Sequence, residues 1–221
     1  MTIDPMTIVF AVVAIFVVWR LWSVLGTRTG AERPPMQGAG RVGGEVIDMK
    51  PNPPQPPASP ERWRGVADPG SALARGLDAV AAGDPSFEPQ SFLAGARAAY
   101  EMILNAFAAG DGEALRRLLA PEPLANFMRA IEARKAAGQR MIVTLVSIDS
   151  AEIVEAGVQN GAAQIAVKFV AKLNSVTNDA SGRVVEGSAT EVADHIDVWT
   201  FARALASRDP NWLLAATEAT H

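Results

Sequence analysis

Cysteine is absent from the 221-residue chain. That absence excludes disulfides, thiol nucleophiles, zinc ribbons and iron–sulfur clusters. Histidine is nearly absent as well, with only two residues, His195 and His221, so a multi-histidine metal site is ruled out. Aromatic residues make up 6% of a chain that is 49% hydrophobic, so alanine and valine carry much of the apolar content. Basic residues are also in the minority, 20 Lys and Arg against 24 Asp and Glu. A nucleic-acid partner would need a concentrated basic surface, which this balance does not provide.

Charge is missing most conspicuously between Met6 and Trp19, and the apolar run continues past Arg20 to Leu25. About 20 residues rising ~1.5 Å each match a hydrocarbon layer of ~30 Å. Apolar side chains such as Phe10, Val13 and Phe16 point in every direction, so the segment has no polar face to lie along a membrane surface. A cleaved signal would carry basic residues ahead of the run; here Asp4 precedes it, while Arg28, Arg33 and Arg41 follow. The segment reads as a permanent anchor. Arg20 snorkels to the headgroups beside Trp19 and Trp22, which suit the membrane interface. The basic trailing flank places the N-terminus outside and the C-terminal bulk in the cytoplasm.

Residues 1–30 are thus the anchor and its basic flank, and residues 31–64 a Pro/Gly-rich tether. "PNPPQPP" favours extended polyproline conformations, the behaviour of a semi-rigid spacer. Within this tether Trp63, between Arg62 and Arg64, is expected to dock onto the domain that follows.

From residue 65 to 221 the pattern is that of a folded domain. Leu73, Leu77 and Val80 recur at helical spacing and end at Gly83. A second helix opens at Pro89 with the stripe Phe92, Ala96, Ala99, Ile103 and Phe107, closing at Gly110. Asp111 caps a short helix through Leu118 and Leu119, stopped by Pro121, and Leu124, Phe127 and Ile131 mark a fourth helix running to Gly138. Beyond it the period changes to two. In "QIAVKFVAKLNS", Ile165, Val167, Phe169, Ala171 and Leu173 share one face, and Gln164, Lys168, Lys172 and Asn174 the other. "RMIVTLVSIDSAEIVEA", "TEVADHIDVWTFARAL" and "NWLLAAT" are further strands, and "NDASG" is hairpin turn chemistry. Helices first and consecutive antiparallel strands second predict an α+β domain, its helices packed on a curved antiparallel sheet of about four strands.

"SFEPQSFLAGARAAYEMILNAFAAGDGEALRRLLAPE", followed by "DHIDVWTFAR" and "RDPNWLLAAT", resembles the mitochondrial inner-membrane import-motor adaptors. This is the C-terminal-domain family of the forty-four-kilodalton translocase subunit, which has bacterial members. The likeness spans roughly Gly65 to Thr217, and the anchor with "GTRTGAERPP" resembles the N-terminus of bacterial members. It implies a cone-shaped fold related to nuclear transport factor two, an adaptor role at an inner membrane, and contact with anionic lipid. The mitochondrial relatives recruit a heat-shock chaperone through a separate N-terminal region, whose place here is taken by the anchor and tether.

Three functions follow as expectations. The leading one is a non-enzymatic, single-pass adaptor of the bacterial inner membrane that binds membrane proteins and anionic lipid and needs no metal or cofactor. Its lipid-facing patch would comprise Arg116, Arg117, Arg134 and Lys135, near Arg129 and Arg140. The second is a lipid or hydrophobic-peptide carrier, with Phe169, Trp199, Phe201 and Trp212 lining a cavity. The third is an isomerase- or hydratase-type enzyme in which Asp197 orients His195, both on one face of their strand.

Overall fold

A computed structural model describes residues 62–220 of the chain. The anchor residues Phe10, Phe16, Trp19, Arg20 and Trp22, and most of the tether, lie outside the described residues.

Within the described part, chain chemistry sets where each helix begins. Helix α1 (Ala72–Gly83) starts at Ser71, whose hydroxyl accepts the Ala74 amide. Helix α2 (Pro89–Ala109) starts at Glu88, whose carboxylate accepts the Gln90 and Ser91 amides ahead of a proline that needs no donor satisfied. Asp111 caps helix α3 (Gly112–Leu118) in the same way. Pro121 begins helix α4 (Pro121–Ala136), so the residue expected to stop one helix serves as the first position of the next.

Five strands follow: β1 (Arg140–Gln159), β2 (Ala162–Asn178), β3 (Val184–Gly187), β4 (Ala193–Ala204) and β5 (Leu213–Thr220). They form a curved antiparallel sheet in the order β1-β2-β4-β5, with β3 beside the end of β2 that β4 does not reach. The turn from β1 to β2 is Asn160-Gly161, both with positive φ, as a two-residue hairpin of primed type requires. The short β3 was not expected from the sequence. All four of its residues are exposed, so the alternation that reveals a half-buried strand is missing. Register shifts at Leu145/Ser147, Ile148/Ser150 and Ile153/Glu155 mark bulges along the 20-residue β1. Such bulges bend a strand and raise its twist.

The helices cover one face of the sheet. Every residue of the alternating set predicted on β2, Ile165, Val167, Phe169, Ala171 and Leu173, is buried. Opposite them stand Leu77, Val80, Phe92, Ala96, Tyr100, Ile103, Leu115 and Ile131 from the helices. Trp63 also belongs to this core, 5% exposed, with its indole N–H donating 2.8 Å to Asp78. The expected docking of this tryptophan is therefore observed. At the far edge, the Ala120 amide donates to the Leu214 carbonyl, tying the link between α3 and α4 to β5.

Candidate functional site

Strand alternation does bring His195, Asp197, Trp199 and Phe201 to the helix-facing side of β4. They lie in register with Ala171, Phe169, Val167 and Ile165 of β2. The residue that engages Asp197 is nevertheless not His195. Tyr100 of α2, fully buried, donates its hydroxyl 2.7 Å to the Asp197 carboxylate. Its ring stacks on Phe169 with centroids 4.6 Å apart and lies 4.5 Å from the centroid of Trp199. Burial, the charge of Asp197 and this hydrogen bond together push the Tyr100 phenol well above its ordinary pKa. His195 is half-buried at the end of the same face, and no hydrogen bond joins it to Asp197.

The residues expected to line a cavity belong to the core or pack against it. Phe169, Trp199 and Phe201 are buried; Phe169 and Trp199 pack on each other and on Tyr100, and Phe201 packs on Trp199. Trp212 packs edge-on to Phe92 at 5.0 Å and lies under the Arg203 guanidinium. These rings pack on one another between helices and sheet. Tyr100 escaped the sequence reading because the helical stripe was assigned to Ala99, its smaller neighbour, which is only half-buried.

The basic residues of α3 and α4 also divide. Arg116 and Arg117 are exposed, Arg116 paired with Glu113, and Lys135 is exposed beside Glu132 at 3.4 Å. Arg134 does not belong with them. Its guanidinium donates to the carbonyls of Phe107 and Ala108 and lies 4.7 Å over the Phe107 ring, so it closes the C-terminal turn of α2. Burial lowers its pKa. A side chain spent on two carbonyls and a ring is withdrawn from any lipid-facing patch, which leaves Arg116, Arg117 and Lys135.

A cavity of about 510 Å³ opens elsewhere, between the Trp63 turn, α2 and the middle of β1. Val66, Leu93, Ala94 and Arg97 line one side and Ala151, Glu152 and Ile153 the other. No sequence signal marked it, since an arginine on an amphipathic helix reads as an ordinary solvated side chain. Among the described residues no three His, Cys, Asp or Glu side chains are grouped to hold a metal. Among them, too, no helix is long and apolar enough to cross a membrane.

Among the described residues, four helices on one face of a five-stranded antiparallel sheet, with aromatic rings packed between, define an α+β helix-on-sheet domain. The model of the Tim44-like domain family matches residues 73–219, and the chain belongs to that family. The resemblance drawn from the sequence is thereby confirmed. No curated protein matches the chain. The crystal structure of the intermembrane space region of the chloroplast protein ARC6 is similar at 14% identity and a TM-score of 0.39, covering 56% of this chain and 94% of that one. A de novo designed β-sheet protein solved by NMR is similar at 11% identity and a TM-score of 0.32, over 59% of this chain and 88% of its own.

Proposed function

We propose that this protein is a non-enzymatic, single-pass adaptor of the bacterial inner membrane that holds its Tim44-like domain on the cytoplasmic side to capture membrane proteins. The observation that carries the reading is the buried aromatic cluster. Tyr100, Phe169, Trp199 and Phe201 pack on one another between helices and sheet, which favours binding on the outside of the domain. The apolar run Met6–Leu25 supplies the anchor. The Pro/Gly-rich stretch that follows it would tether the domain at high local concentration near the bilayer. Exposed Arg116, Arg117 and Lys135 support contact with anionic lipid.

The test is crosslinking of the full-length protein in native membranes followed by mass spectrometry, beside an anchor-deleted control. Discrete membrane-protein partners that vanish with the anchor are the expected result; enrichment of no protein would sink the adaptor. For the lipid contact, charge reversal of Arg116, Arg117 and Lys135 to Glu should weaken flotation of the domain with anionic vesicles. Unchanged flotation removes that contact.

A further inference from the structure

Among the described residues β1 is an edge strand; its ladder partner throughout is β2. An unpaired edge presents a row of backbone donors and acceptors, which proteins ordinarily cover. Here the cover is local. At one point Arg97 reaches from α2 and donates 3.3 Å to the Ile148 carbonyl, beside a bulge. At another, α1 presses so closely that a Cβ on Gly76 would stand 1.9 Å from the Ala156 carbonyl oxygen. Between these two points the strand borders the 510 Å³ cavity. Among the described residues, no backbone hydrogen bond outside the β1–β2 ladder reaches Ser150–Val154.

The cavity lining is mixed, with Gln90 and Glu152 beside apolar side chains. Ala151 and Ile153 face inward and are buried, so Glu152 between them, in register with Lys168, directs its carboxylate to the opposite face. Val66, Leu93 and Ala94 supply apolar wall. Arg97 is the cation of the site. A guanidinium carries five donors, one of which serves Ile148, and no carboxylate lies within ion-pair distance of it among the described residues. A half-buried cation beside an open strand edge selects a ligand that is extended and acidic.

We propose that an extended segment of a partner protein, carrying an aspartate or glutamate, adds to the outer edge of β1 over Ser150–Val154 and pairs its carboxylate with Arg97. Main-chain bonds to the edge supply affinity, and the Leu93–Val66 wall and Arg97 read alternate side chains. The inference rests on the adaptor reading and gives it a binding site.

The experiment is selection of random linear peptides on the full-length protein in detergent micelles, with hydrogen exchange of Ser150–Val154 as readout. Wild type should enrich sequences with a central Asp or Glu, and the selected peptides should slow exchange of those amides. Arg97→Gln should weaken binding about tenfold, Arg97→Glu should shift selection toward basic sequences, and Ala94→Trp should block it. Unchanged melting of each variant certifies the fold. Enrichment indifferent to charge, or binding that survives Ala94→Trp, would overturn the proposal. So would protection of these amides by oleate or anionic vesicles instead of peptide. Membrane crosslinks that persist in Ala94→Trp and Arg97→Glu refute this groove while leaving the adaptor standing; a wild type without crosslinks refutes the adaptor itself.

Discussion

The Tyr100 hydroxyl donates 2.7 Å to the Asp197 carboxylate, joining α2 to β4 across 97 residues of sequence. A phenol held by burial and by a carboxylate in its neutral form has a pKa raised above the unfolded value of about 10. Its contribution is complete below that pH and is lost as pH rises past it. Tyr100 is the chain's one tyrosine, so ultraviolet titration reads it alone. Phenolate absorbance should appear only together with unfolding. Tyr100→Phe should cost about 1–3 kcal/mol in denaturant unfolding, because the half-buried Asp197 carboxylate loses its donor. Free titration near pH 10 in the folded protein would refute the assignment.

Two glycines of neighbouring helices should respond oppositely to alanine. At Gly76 the added methyl meets the Ala156 carbonyl at 1.9 Å, backbone that cannot swing aside. Gly76→Ala should therefore destabilise by about 1–3 kcal/mol despite the better helix propensity. Gly95 of α2 is exposed and has nothing within 4 Å of its virtual Cβ, so Gly95→Ala should stabilise by about 0.5–1 kcal/mol. Thermal melts of the two variants, compared with wild type, check the sign of each.

Asp84 and Arg203 form an ion pair in which each side chain is 15% exposed, pinning the end of α1 to β4. Burial pushes the Asp84 carboxyl up, but the hydrogen bonds from Ser86 and the charge of Arg203 outweigh it and hold it below the usual range. The resulting stability is present above the unfolded value of about 4 and is lost as pH falls through the lower folded value. Asp84→Asn should cost about 2–4 kcal/mol near neutral pH by leaving the guanidinium buried without its anion. Its deficit should shrink in acid, which a stability–pH profile of both proteins measures.

Arg134→Ala should cost about 1–3 kcal/mol, since the Phe107 and Ala108 carbonyls lose their donor. Arg117→Ala, on the exposed face of α3, should stay within about 0.5 kcal/mol. Equal effects in denaturant unfolding would erase the distinction drawn between the two arginines.

The first three helix starts and the inward face of β2 were legible because they are local. A cap needs one side chain and the next few amides, and a strand face needs only alternation. β3 was not, because four exposed residues carry no alternation; its pairing is set by the turn at Asp179, which bonds the Ser181 and Arg183 amides. Arg116, Arg117, Lys135 and Arg134 look alike in sequence. Nothing local says that the last of them lies over the ring of Phe107.

Composition and periodicity alone excluded thiol and multi-histidine metal chemistry, separated an apolar start and a proline-rich stretch from a folded domain, and gave that domain its helix-then-strand order. Those properties depend on residues near one another in the chain. Only the tertiary structure decided that Tyr100 takes Asp197, that the aromatic rings pack on one another in the core, and that Arg97 reaches the Ile148 carbonyl of β1. Each is a contact across tens of residues, fixed by how helices pack on a bulged sheet.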